Sequence, residues 1–164
     1  MDTVSHPGDH LFNSPLEAGI RAVVVLEMLR PLCVDLADMV LLDHVVVHTA
    51  DLGGPESLHP QLPGRKGELL VRRQLVEQAL DLMRRFHLID LRVDDEGLMY
   101  CASEEAAGYV ELLESEYSER LKACAQWLAD GIRVQSKAQF REAIRTQLGE
   151  WTSAFTAPVG LHSA

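Results

Sequence analysis

The chain has 164 residues, of which 47% are hydrophobic and only 5% aromatic, and its formal net charge is −10. That length suits one domain with a core built mainly from Leu, Val, Ile and Ala, and the acidity disfavours long-range attraction to nucleic acid. No run of about 18 residues is apolar and free of charge, so no membrane partner is expected, and the acidic, polar start MDTVSHPGDH resembles neither a signal nor a transit peptide.

Three cysteines, Cys33, Cys101 and Cys124, are odd in number, widely spaced and without a CxxC, so buried thiols in a reducing cytoplasm are expected. The charge lies in blocks: −7 over residues 1–63, +3 over 64–93, −9 over 94–119 with nine acids and no base, and +3 over 120–164. A basic partner surface facing residues 94–119 is the simplest electrostatic expectation.

Residues 1–11 read as a flexible tail. Ser14-Pro15-Leu16-Glu17 then opens a helix, with Ser14 as cap, Pro15 in the first turn and Glu17 at the capping-box position. This helix runs to about Leu29 and is stopped by Pro31. Val23-Val24-Val25 alone would suit a strand, but the cap and the length favour helix. Its polar positions are confined to Glu17, Arg21 and Glu27, so most of it is expected inside. Asp35 caps a second helix from Leu36 to about His48, with His44 and His48 four residues apart on the stripe opposite its apolar arc.

Residues 49–64 are too rich in Gly, Pro and Asp for regular structure. A third helix starts near Lys66 or Gly67 and ends near His87. Leu69, Leu75, Val76, Ala79, Leu80, Leu82, Met83 and Phe86 fill half of its circumference, and charges of alternating sign fill the rest. Asp81 is placed to pair with Arg84 or Arg85, whereas Arg72 falls inside the apolar arc.

Ile89, Leu91 and Val93 alternate with Asp90 and Arg92, Asp94 to Gly97 forms a turn, and Leu98 to Ala102 returns as the second strand of a hairpin. Ser103 caps an acidic helix to about Glu114. A further helix runs from about Ser118 to Ile132, and Ser136 caps a last one through Phe140, Ile144 and Leu148. Residues 152–164 read as a second tail. The expected fold is mainly α: a winged helix-turn-helix over residues 12–102, made of three helices and a hairpin wing, followed by a helical extension over 103–150.

Winged helices often place their third helix in the DNA major groove, so a DNA-binding regulator is the alternative function. Four features oppose it: the long connection before the third helix, the mixed charge on that helix, the Asp94-Asp95-Glu96 wing tip and the acidity of the whole chain. His44 and His48 have the i, i+4 spacing of two metal ligands, with Asp43, Asp51 or His59 as a third. Val45 stands where HExxH needs its glutamate, and the plainer reading makes these five residues a structural loop cluster whose histidines border the core.

Ser57, His59 and Asp51 are close in sequence, but no GxSxG elbow surrounds Ser57. Neither a catalytic constellation nor a cofactor is expected. Gly64-Arg65-Lys66-Gly67 at a helix start can hold an anion, although the plain reading is a helix entry whose cations oppose the dipole. Arg72 reads either as an internal ion pair to Asp43 or Asp51 or as an arginine aimed at another subunit.

Four stretches, Phe12-Asn13-Ser14-Pro15-Leu16-Glu17, Leu41-Leu42-Asp43-His44, Asp51 to Pro60, and Gly67 to Arg73, occur in that order and together resemble one family. It is the small middle component, second type, of ABC-three component systems, and Gly97-Leu98-Met99-Tyr100 fits as well. The resemblance covers about residues 12–113. It implies a bacterial anti-phage defence system related to Lamassu, and a non-enzymatic, kleisin-like adaptor that links an SMC-like ABC ATPase to an effector subunit, often a nuclease. DNA would be met only indirectly, through the complex. The expected partner surfaces are Arg65, Lys66, Arg72, Arg73 and Glu77 on and before the third helix, and Asp94, Asp95, Glu96, Glu104 and Glu105 in the acidic block.

Overall fold

Four consecutive residues of the first helix, Val23 to Leu26, are fully buried, so this helix is covered on every side rather than along one stripe. It is α1, Pro15–Leu29, and the Ser14 hydroxyl caps it by accepting from the Glu17 N–H at 3.2 Å. A computed structural model describes residues 14–59 and 68–136, together with 138, 139, 142, 143 and 146. Around α1 stand α2 (Leu36–Val47), α3 (Glu68–Arg85), strands β1 (Ile89–Asp94) and β2 (Gly97–Ala102), α4 (Ala106–Glu111) and α5 (Glu116–Val134). The molecule is mainly helical with one small antiparallel sheet.

Three of the described helices, α1, α2 and α5, begin where a side chain satisfies a free N–H group. Asp35 caps α2 through the Asp38 N–H at 2.7 Å, and Ser115 caps α5 through the Ser118 N–H at 3.1 Å. The carbonyls at the end of α1 are met by α5, whose Arg133 donates to Met28 O at 2.6 Å and Arg30 O at 3.4 Å. Arg30 in turn donates to Ser103 O at 2.6 Å, which ties the same corner to the end of the hairpin. Val76, Leu80 and Met83 of α3 and Leu121, Cys124, Ala125, Leu128 and Ile132 of α5 share one core with α1 and α2. Burying a Val, Leu or Met side chain contributes about 1.5–3 kcal/mol.

Strands β1 and β2 pair in register from Ile89–Ala102 out to Asp94–Gly97. The turn is therefore the two residues Asp95 and Glu96, tighter than the four-residue turn expected. Gly97 at φ +117° supplies the conformation that an L side chain resists, and the Glu96 N–H bonds Asp94 Oδ1 at 2.8 Å. On the other side of β2, Val34 exchanges two backbone hydrogen bonds with Tyr100, at 3.0 and 2.7 Å. The sheet thus reaches back to the link between α1 and α2.

Three local expectations need correction. Cys33 and Cys101 are not buried thiols but a disulfide, because the Val34–Tyr100 bridge sets their Cα atoms 4.6 Å apart; Cys124 alone is a free, buried thiol. Ser103 does not open a helix directly. Its hydroxyl donates to His87 O at 2.6 Å, and α4 starts three residues later and ends at Glu111. The connection after α2 contains a 3-10 turn, Thr49–Leu52, closed by Gly53 at φ +78°. The last predicted helix shows its start, where Gln139 N–H bonds Ser136 Oγ at 3.2 Å, but Phe140, Ile144 and Leu148 lie outside the described residues. So do both predicted tails and Arg65 and Lys66.

Candidate functional site

One charged cluster lies where α1, α2 and α3 meet. Arg21 occupies an otherwise apolar face of α1, Asp43 comes from the middle of α2, and Arg72 enters from the first turns of α3. Asp43 Oδ1 accepts from Arg21 Nε at 2.8 Å, and its Oδ2 accepts from Arg21 Nη2 at 3.4 Å and from Arg72 Nη1 at 2.7 Å. Side-chain exposure is 2% for Arg21, 1% for Asp43 and 12% for Arg72. Burial pushes the Asp43 carboxyl up, but the two guanidiniums outweigh it and hold it below the usual carboxylate range. Burial likewise pulls Arg21 down, and Asp43 with Tyr117 more than restores it.

A ring of polar aromatic side chains surrounds this hub. His44 on α2 and His48 at its C-cap have ring centroids 4.8 Å apart with the planes tilted by 49°, and His59 stands edge-on to His48 at 6.4 Å. His59 Nε2 lies 3.0 Å from the Tyr117 hydroxyl of α5, which also hydrogen-bonds Arg21. A hydroxyl that accepts from Arg21 can donate to His59, so arginine, tyrosine and histidine form a chain. Burial, reinforced by the nearby arginine charge, holds His44 and His59 down at about 4 and lowers His48 as well. All three imidazoles are therefore neutral near pH 7.

The connection after α2 is held against this ring by its own backbone. The Thr49 hydroxyl donates to Pro55 O at 2.9 Å, the His59 N–H donates to Val47 O at 3.2 Å, and Gly54 lies beneath the Trp127 indole. A Cβ at Gly54 would come within 2.8 Å of that ring, so the close approach needs glycine. Asp51 is exposed on the 3-10 turn. The Ser57 hydroxyl accepts from the Ala50 N–H at 3.2 Å, a turn-closing role. Among the described residues, no group of three His, Cys, Asp or Glu side chains has the arrangement of a metal site. Asp43 is committed to two arginines, and a cation placed beside them would be repelled.

The other expected residues lie apart from the cluster. Arg73 and Glu77 are exposed on α3, Asp94, Asp95 and Glu96 form the exposed hairpin tip, and Glu104 and Glu105 are exposed ahead of α4. Arg21 and Tyr117 are the cluster members that were not singled out from the sequence. Arg21 had a signal, a lone guanidinium in a helix otherwise fit for full burial; Tyr117 had none.

Against known proteins, residues 11–154 match the family described as ABC-three component (ABC-3C) system Middle Component 2. The chain belongs to that family. No curated protein and no solved structure matches it. The matched span of this middle component takes in every described element, so the Asp43 cluster and the hairpin both lie within the family region. As a middle component it is one part of a multi-component ABC system. No helix among the described residues is long and apolar enough to cross a membrane.

Proposed function

We propose that this middle component is a non-enzymatic, cytoplasmic adaptor of a Lamassu-related anti-phage defence complex, linking an SMC-like ABC ATPase to an effector subunit in the manner of a kleisin. The observation that carries this reading is the family match over residues 11–154. Supporting it, Asp43 is shared between Arg21 and Arg72 and the three side chains tie three helices together, which is work of architecture rather than of turnover. The order of α1, α2, α3, β1 and β2, with Val34 bridging to Tyr100, supports a winged-helix core. Within that core α3 and the hairpin carry the exposed charges suited to partners: Arg73 and Glu77 on the helix, and Asp94, Asp95 and Glu96 on the wing.

The test is co-expression with the ABC ATPase of the same system, followed by affinity purification and size exclusion. The two proteins are expected to elute together at moderate salt. Clean separation, with both folded, overturns the adaptor reading.

A further inference from the structure

We propose that the hairpin tip is a docking knob, and that its socket is an apolar cleft rimmed by basic side chains on another component of the system. The proposal deepens the adaptor reading and rests on it. Val93 and Leu98 are direct cross-strand partners, so their side chains lie on one face of the hairpin. That face also carries Leu91 with Tyr100, which are half-buried, and Ile89 with Ala102, which are buried. The outermost pair is open to solvent: Val93 is 78% exposed and Leu98 54%. An apolar stripe that begins in the core thus runs out into solvent.

Its end is ringed by charge. Asp94, Asp95 and Glu96 adjoin the pair, all three are exposed, and none has an ion pair with a described residue. The backbone here is already ordered by the strand register, by the Glu96 N–H to Asp94 Oδ1 bond of 2.8 Å and by Gly97 at φ +117°. Docking a preformed turn loses little conformational freedom. An apolar pair inside an acidic rim selects a protein cleft with Lys or Arg at its edge, and the same carboxylates repel DNA phosphates and anionic lipid.

The full-length chain is titrated separately against each of the other two purified components of its system. Two variants accompany the wild type: Val93→Thr with Leu98→Thr, which keeps strand-compatible side chains, and Asp95→Lys with Glu96→Lys, which spares the Asp94 contact. Both pairs are expected to weaken binding to the same component by roughly tenfold or more, with thermal midpoints matching wild type. The charge pair should also remove most of the salt dependence. Unchanged affinity of either variant for every component that the wild type binds overturns the knob and leaves the adaptor reading standing. Failure of the wild type to bind either component overturns both.

Discussion

Asp43 of α2 sits at the junction of three helices. It joins α1 to α3 through two guanidiniums, and both of its oxygens are used. Replacing it by Ala leaves Arg21 charged and buried without its carboxylate counter-charge, an arrangement that costs roughly 3–5 kcal/mol. Urea unfolding should show that loss for Asp43→Ala, and a smaller one for Arg72→Met, whose head group reaches water. The neighbouring histidines make stability depend on pH. His44 and His59 titrate near 4 in the folded chain, against an ordinary value of 6.5. Between those values the unfolded chain binds protons that the folded chain does not, so stability is full above about pH 6.5 and falls as the pH drops toward 4. The Asp43 contribution has a different window. Its folded carboxyl lies below the ordinary 3.8, so its share is lost only at still lower pH. Unfolding curves from pH 7.5 down to 4 should show the histidine slope, and His44→Gln with His59→Gln should flatten it. An unchanged slope in that variant assigns the pH dependence to other groups.

Among the elements, helices with explicit caps were legible almost to the residue. Ser14, Pro15 and Glu17 set the start of α1, and Asp35 that of α2, because a cap is a contact between residues two or three apart. α4 starts later than Ser103 suggested, because that hydroxyl donates to His87 O, sixteen residues earlier in the chain, while accepting from the Glu105 N–H at 3.3 Å in a turn that precedes the helix. The same limit hid the disulfide. Nothing near Cys33 or Cys101 in sequence announces a bond across a separation of 68 residues, and only the pairing of Val34 with Tyr100 brings the two together. Closing a loop of that length constrains the unfolded chain, so reduction or Cys33→Ser should lower stability by roughly 2–4 kcal/mol. Equilibrium unfolding with and without dithiothreitol measures it; equal midpoints would show that the bond does not form in solution.

At the scale of the whole molecule, acidity governs what the surface can meet. All nine carboxylates between Asp94 and Glu119 are exposed, so the isolated chain should show no duplex binding by fluorescence anisotropy, even at about 50 mM salt. Salt-sensitive binding weakened by Arg73→Ala would instead favour a winged-helix DNA regulator. Arg73 is the informative position, because the Arg72 head group is held 2.7 Å from Asp43 and its removal disturbs the core. The charge on α3 and the hairpin tip is exposed, whereas the charge at Asp43 is buried and ties the helices together.

The sequence by itself determined the starts of α1 and α2, the hairpin, the acidic block and the family, since each is written in neighbouring residues or in motifs kept in order. Only the tertiary structure decided what Asp43 holds, which cysteines pair, and that Tyr117 meets His59. Those contacts span 22 and 29 residues at Asp43, 68 at the disulfide and 58 at the tyrosine. Local propensity and capping act over a few residues only. A lone arginine in an apolar helix announces that it needs a partner, but the packing of α1 against α2 and α3 chooses which one.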